Sequence, residues 1–208
     1  GYMPNAGFES TRTAVAENLN KRFGANFTFE NIIMTVGAGS SINVIMKTIF
    51  DPGDKQIVFA PYFVEYANWA GNYHAETVVV PPNEANGFEP DPEALKKALD
   101  PKVKAVIINN PNNPTGAIYS RETLEQIAAV LKDAEKEYGH PIYIITDEPY
   151  RELVYVDKEI VFIPDLYDNT IIAYSWSKSL SIPGDRLGYL AVSPKSDNVE
   201  EFMAAATV

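Results

Sequence analysis

The stretch that decides the fold runs from residue 103 to residue 146 and reads VKAVIINNPNNPTGAIYSRETLEQIAAVLKDAEKEYGHPIYIIT. Its two ends, residues 103–108 and 142–146, are apolar runs without polar alternation, which is typical of strands buried on both faces. Between them, residues 120–138 form a long predicted helix that starts at the capping sequence Ser-Arg-Glu-Thr. Two buried strands joined by a helix are typical of a parallel sheet.

Helix and strand continue to alternate on both sides of this stretch. We predict further helices over 10–22, 40–50 and 91–99, and further strands over 31–36, 56–60, 76–80, 170–174 and 186–192. Together they predict an α/β domain: a mostly parallel, doubly wound sheet with helices on both faces. Such sheets bind ligands beyond the carboxyl ends of their strands, so the residues after each strand are the candidate site.

The composition excludes several classes of function. The 208 residues include 17 Lys and Arg against 28 Asp and Glu, and the net charge of −11 disfavours nucleic acid or an anionic membrane as a partner. The absence of cysteine excludes disulfide scaffolds, thiolate nucleophiles and cysteine-bound zinc, and it fits a cytoplasmic protein. Since His74 and His140 are far apart, we expect no metal site. No apolar run approaches the roughly 20 residues that cross a bilayer.

Small residues follow the first predicted strand, at Gly37-Ala38-Gly39-Ser40-Ser41. They would let a phosphate approach the free backbone N–H groups at the start of the next helix. The dinucleotide fingerprint fails because Ile42 stands where its third glycine belongs, and a Walker A loop fails because no Gly-Lys-Ser/Thr follows. A tight turn without a ligand stays an open alternative.

Aromatic and amide side chains follow the next strands. Residues 61–66 (PYFVEY) could stack on a flat cofactor ring or could simply belong to the core. Residues 110–116 (NPNNPTG) combine three amides, two prolines and a glycine, which indicates a rigid turn with fixed hydrogen-bonding groups. Asn-Pro is also common turn chemistry, but a plain loop would not need so many asparagines.

Charged residues follow the later strands. Asp147 comes directly after residues 142–146, where a carboxylate is costly unless it meets a cation or donor; a helix cap or structural ion pair is the alternative. Lys178 lies in Ser-Trp-Ser-Lys-Ser, and an amine at a buried strand end can form a Schiff base. Arg186 and the serines could complete an anion cradle, or both cations could be surface charges. Jointly, these segments describe a site for pyridoxal phosphate (PLP).

Three motifs carry a family resemblance: NNPNNPTG over 109–116, TDEPY over 146–150, and SWSK…GDRLGY over 175–189. With them, the sequence from Tyr2 to about Pro194 resembles the class I/II, aspartate-aminotransferase-like enzymes of PLP fold type I. The resemblance implies a PLP-binding large domain over residues 1–194. Residues 195–208 would begin a C-terminal helix and a small domain that is absent.

The resemblance also implies roles for individual residues. Lys178 resembles the lysine that holds PLP covalently and moves protons, and Asp147 the carboxylate that pairs with the pyridinium nitrogen. Tyr150 and Asn113 resemble the donors to the phenolate oxygen, and Phe63 the ring that stacks on the pyridine. The implied phosphate cup consists of the backbone N–H groups of Ala38 and Gly39 together with Ser175, Ser177 and Arg186. Tyr2 resembles a tyrosine that reaches the phosphate of a neighbouring subunit, which implies a homodimer with shared sites.

The family is usually about twice as long, and residues 200–208 end in helical pattern without a stop signal, so we expect a piece of a longer chain. The arginine that grips the substrate carboxylate is expected elsewhere, since Arg12, Arg22, Arg121 and Arg151 are interpreted as surface residues. We therefore predict an aminotransferase that acts on an amino acid and a 2-oxo acid, with little turnover by this chain alone. The alternatives are a PLP carbon–sulfur lyase or synthase, and a sensor domain of a transcription regulator.

Overall fold

The computed structural model describes residues 1–208, and its central feature is one sheet of seven strands. The strands are β1 (Ile32–Thr35), β2 (Lys55–Phe59), β3 (Glu76–Val80), β4 (Val103–Asn109), β5 (Tyr143–Asp147), β6 (Thr170–Ser175) and β7 (Gly188–Val192). The helices are α1 (Glu9–Phe23), α2 (Ala38–Ile49), α3 (Glu65–Asn72), α4 (Pro92–Ala98), α5 (Arg121–Tyr138), α6 (Trp176–Ser179) and α7 (Val199–Ala206).

The strands follow the order β1-β7-β6-β5-β4-β2-β3 across the sheet. Strands β6, β5, β4, β2 and β3 are parallel to one another, whereas β7 pairs antiparallel with both β6 and β1. The predicted mostly parallel α/β sheet is therefore confirmed, and every predicted strand is present. The carboxyl ends of β4, β5 and β6 lie side by side at one edge.

Helices cover both faces of the sheet. Successive strand residues point to opposite sides, so a strand that is apolar throughout needs packing on both faces. One face buries residues such as Ile145 and Ile171 under α2, α3 and α7. The other buries Ile144 under α4 and α5, and Ile172 under α1. The cap of α5 is the predicted one, since the Ser120 side chain accepts a hydrogen bond from the backbone N–H of Thr123.

Two helices were absent from the sequence prediction. Helix α3 follows the aromatic run 61–66, and its aromatic residues and Gly71 give a weak helical signal. Helix α6 is a single turn of four residues, too short for periodicity to show. The last strand starts at Gly188 rather than at Arg186, because Arg186 has a φ of 52° and cannot continue a strand. No helix has the length and apolar character needed to cross a bilayer.

Candidate active site

The candidate site lies where three neighbouring parallel strands end. Asn109 is the last residue of β4 and pairs in register with Asp147, the last residue of β5. Asp147 in turn lies opposite Ala173 of β6, two residues before Ser175. Parallel pairing therefore brings together side chains from segments that are far apart in the sequence. The three motifs of the sequence analysis meet at this edge of the sheet.

Asp147 is buried with an incomplete set of hydrogen bonds. Its Oδ2 accepts a hydrogen bond from the Tyr66 hydroxyl at 2.5 Å, whereas Oδ1 is buried without any partner. Burial raises the pKa of Asp147 to about 7; the Tyr66 hydrogen bond opposes this rise and the nearby Glu148 adds to it. An unpaired buried oxygen is costly, so Oδ1 is a place where a donor or cation from a ligand would bind favourably.

Tyr66 is a site residue that the sequence analysis did not assign. It lies on α3, is 1% exposed and reaches a carboxylate 81 positions later in the chain. Burial, followed by the charge of Asp147, holds the pKa of Tyr66 well above its usual range, so its hydroxyl stays protonated as a donor. The only sequence signal is its place in the aromatic run that contains Phe63. The Phe63 ring lies at the surface, edge-on to Tyr66 at 5.6 Å between centroids.

The asparagine turn after β4 uses most of its amides to hold itself in place. Asn109 donates to the backbone carbonyl of Asp147 at 2.9 Å and accepts from the backbone N–H of Asn113 at 2.6 Å. Asn110 accepts from the backbone N–H of Tyr119, and Asn112 accepts from its neighbour Thr115 within the turn. The side chain of Asn113 alone makes no hydrogen bond within the protein. The turn therefore presents one amide, that of Asn113, to a ligand.

Close backbone packing places Arg186 against the start of α2. Gly37, which precedes α2, has a φ of 96°, and a Cβ there would lie 2.9 Å from Arg186 Nη2. The same nitrogen donates to the Val36 carbonyl at 3.3 Å. Gly188 allows the two segments to approach, since a Cβ on it would meet backbone atoms of Gly37 at 2.8 Å. A guanidinium beside the free N–H groups and positive dipole end of α2 favours an anion there.

The segment after β6 forms the single turn α6. Ser175 is buried and caps α6 by accepting from the Ser177 backbone N–H at 3.1 Å, and its hydroxyl donates to Ser177 Oγ at 2.7 Å. Lys178 is exposed, forms no salt bridge, and its Nζ lies 6.0 Å from the centre of the Tyr150 ring. Burial, with a smaller effect of Asp147, raises the pKa of Tyr150. The structure thus brings a free amine close to a phenol at the strand edge.

The remaining predicted site residues lie at the margins. Ala38 and Gly39 occupy the first turn of α2, and a Cβ on Gly39 would meet the Trp69 ring at 3.1 Å. Tyr2 is fully exposed in the N-terminal segment, and no hydrogen bond ties it to the strand edge within one chain. The other predicted site residues therefore lie at or near this edge of the sheet, and Tyr2 lies apart from them.

The interpretation of Arg151 as a surface residue is wrong. It is only 4% exposed, and its guanidinium pairs with Glu148 at 2.9 Å and donates to the Tyr189 hydroxyl at 3.1 Å. The reason is local: the turn after β5 folds Arg151 back over Glu148, and a buried carboxylate needs a cation. Arg12 is half-buried as well, and donates to two backbone carbonyls.

The comparisons with known proteins agree on one family. The family model described as "Aminotransferase class I and II" matches residues 1–207. The aspartate aminotransferase of Pyrococcus horikoshii is 37% identical over 190 residues, which are 91% of this chain and 47% of that protein. The crystal structure of an aminotransferase from Eubacterium rectale is 41% identical with a TM-score of 0.96, and the match covers 100% of this chain and 52% of that one.

A further solved structure, the aspartate aminotransferase from Thermus thermophilus with maleate, is 33% identical with a TM-score of 0.89. The match covers 100% of this chain and 51% of that chain. The chain thus spans about half the length of the relatives it matches. With the family model matched over almost every residue and the whole fold shared, the chain belongs to the class I and II aminotransferase family.

Proposed function

We propose that this chain binds PLP at the edge formed by β4, β5 and β6 and serves the transfer of an amino group between an amino acid and a 2-oxo acid. The observation that carries the proposal is the buried Asp147 Oδ1, which has no partner within the protein. A protonated pyridine nitrogen is a donor and a cation in one group, so it would satisfy both requirements of this carboxylate.

The residues present fit the rest of the cofactor. The free amide of Asn113 and the hydroxyl of Tyr150 would donate to the phenolate oxygen, and the Phe63 ring would cover the pyridine. The phosphate would bind the start of α2 through the N–H groups of Ala38 and Gly39. Its remaining oxygens would meet the side chains of Ser175, Ser177 and Arg186, where the arginine fork suits a phosphate.

Bound PLP supplies an electron sink that stabilises the carbanion formed when an amino acid loses its Cα proton. Asp147 would keep the ring nitrogen protonated, which preserves that sink. The coupling is reciprocal: a ring cation beside Asp147 would lower the carboxyl pKa that burial now raises to about 7. Lys178 would hold the cofactor through Nζ, with loss of water, until the amino group of the substrate displaces it. The Nζ amine freed by that exchange would take and return the Cα proton.

The wider assignments follow from the family. We propose residues 1–194 as the cofactor-binding domain, and a homodimer in which Tyr2 of one subunit reaches the phosphate site of the other. Several relatives are named for aspartate, so aspartate is the first amino acid to test. Because the relatives carry aminotransferase names, neither the lyase nor the regulator alternative is favoured. A cytoplasmic location stays a prediction, which cell fractionation would test.

The assignment of Lys178 has a direct test. The chain is incubated with PLP, reduced with borohydride and digested, and the labelled peptide is identified by mass. We expect the label on Lys178, and Lys178→Ala to abolish it while the exposed Lys195→Ala variant keeps it. Label on Lys47 or Lys195 instead, or on no lysine, would contradict the proposed function.

A further inference from the structure

A continuous chain of hydrogen bonds runs behind the strand edge, and it starts beside Asp147. The next residue, Glu148, is 4% exposed and accepts from Arg151 Nη1 at 2.9 Å. Arg151 Nε donates in turn to Glu152 Oε1 at 3.2 Å. The side chain next to Asp147 is therefore joined to Glu152 through one buried guanidinium.

The chain continues from Glu152 to helix α6. The Tyr174 hydroxyl donates to Glu152 Oε2 at 2.9 Å and lies 2.8 Å from Ser179 Oγ. Because a phenol has one proton, and Tyr174 gives it to the carboxylate, Ser179 is the donor in the second bond. Ser179 directly follows Lys178. The hydrogen bonds thus join the immediate neighbours of Asp147 and Lys178.

Ring packing and ion pairs hold this chain: Arg151 is buried, and Glu152, whose side chain is 28% exposed, also pairs with Arg22 at 2.7 Å. The Arg151 guanidinium lies 4.4 Å from the centre of the Tyr174 ring and 5.4 Å from that of Phe23. Burial raises the pKa of Tyr174, and Glu152 adds to the rise, so the hydroxyl remains a donor. Satisfied polar groups in a low-dielectric interior hold their geometry firmly. Arg151 is consequently a rigid anchor for Tyr174.

Helix α6 depends on contacts outside itself. A single turn is too short to be stable alone, since helix nucleation is unfavourable. Its start is fixed by the Ser175 cap, whereas the side chain at its end, Ser179, bonds only to Tyr174. Lys178 is exposed and forms no salt bridge. Apart from the Tyr150 ring, 6.0 Å from its Nζ, the backbone of α6 sets its place.

We infer that Tyr174 is a positioning residue for Lys178, because its hydroxyl ties the end of α6 to Glu152 and, through that carboxylate, to the buried Arg151. The inference rests on the proposed function, since it concerns how Lys178 is held for its bond to PLP. The competing interpretation is that the network only stabilises the core. In that case, loss of the Tyr174 hydroxyl would act like loss of any other buried tyrosine hydroxyl.

The test compares Tyr174→Phe with a matched control, Tyr167→Phe. Tyr167 is also buried, and its hydroxyl donates to the Ile142 carbonyl at 2.8 Å, at the opposite end of β5. In the PLP-free chain, amide hydrogen exchange is measured by NMR at Leu180 and Ser181, whose N–H groups close α6. We expect exchange there to become about five- to tenfold faster in Tyr174→Phe, as loss of one hydrogen bond predicts, and to stay unchanged in Tyr167→Phe.

The second readout is the circular dichroism of PLP bound to the protein, which reports how the cofactor is held. It should change in Tyr174→Phe and in Ser179→Ala, which removes the same bond from the α6 side, but not in Tyr167→Phe. Equal exchange in both tyrosine variants would overturn the inference, as would faster exchange with unchanged dichroism. If the wild-type chain binds no PLP at Lys178, the proposed function fails, and the exchange rates alone decide whether Tyr174 holds α6.

Discussion

Removal of the Tyr66 hydroxyl should shift the titration of Asp147 upward. In the structure this hydroxyl is the only hydrogen-bond donor to the carboxylate, at 2.5 Å from Oδ2, while Oδ1 has none. The bond stabilises the ionised form and therefore lowers the pKa, against a burial effect that raises it to about 7. Tyr66→Phe removes the lowering contribution and leaves the burial. The expected direction is a pKa above about 7.

The size of the shift follows from the strength of the bond. A hydrogen bond to a charged group contributes about 1.5–3 kcal/mol, and one pKa unit corresponds to about 1.4 kcal/mol, so the rise is about one to two units. At pH 7 the ionised share of Asp147 should fall from about half to about a tenth or less. A carboxyl that is mostly neutral would hold a pyridinium nitrogen poorly, so affinity for PLP should fall as well.

The assay is a carbon NMR titration of the PLP-free chain with carboxyl-labelled aspartate, in which Asp147→Asn identifies the resonance. Tyr73→Phe is the matched control, because Tyr73 directly follows α3 and its hydroxyl lies near Asn43 rather than near the site. An Asp147 midpoint in Tyr66→Phe that equals or lies below that of the wild type would refute the reasoning.

Three further predictions concern stability and assembly. Burial raises the pKa of Asp147 to about 7, so between about pH 4 and pH 7 the folded chain keeps a proton that the unfolded chain releases, and the free energy of unfolding should fall as the pH rises through that range. Asp147→Asn removes this titration and should therefore raise Tm at pH 8 but not at pH 4. Gly188→Ala should lower Tm more than Gly184→Ala, since a Cβ on Gly188 would meet backbone atoms of Gly37 at 2.8 Å, whereas a Cβ on Gly184 has no neighbour within 4 Å; equal losses would contradict the contact. Sedimentation of the PLP-bound chain should show a dimer, and a strictly monomeric protein would remove the role of Tyr2 across an interface.

The sheet could be predicted from sequence because its signal is local. The strands are apolar runs that end at turn residues, and α5 carries its own cap at Ser120. Each of these patterns needs only a few neighbouring residues to be recognised. Helix α3 lacks such a pattern, since its aromatic residues are shared between core and surface. The turn at Arg186 likewise depends on a backbone conformation that the residue type does not require.

The candidate site was predictable in its position but only partly in its contacts. The rule that ligands bind beyond parallel strand ends places Asp147 and Lys178 without any distance information. The partner of Asp147, in contrast, is Tyr66, and that contact depends on how α3 packs across the sheet. Which asparagine holds the turn and which is free for a ligand also depends on distant residues, because Asn109 holds the turn by donating to a backbone carbonyl of β5. Arg151 was misinterpreted because charge alone does not reveal burial.

The antiparallel strand β7 makes the sheet dependent on both halves of the chain. Within the sheet, strand β1 pairs only with β7, and the two are separated by more than 150 residues. Pairings between such distant segments are slow to form, since a long loop must close first. During synthesis, β1 and the following Gly37 therefore cannot take their place in the sheet until the segment with Arg186 has been made. Until then Arg186 cannot lie beside the start of α2, so the proposed phosphate site stays incomplete in a nascent chain until β7 has paired.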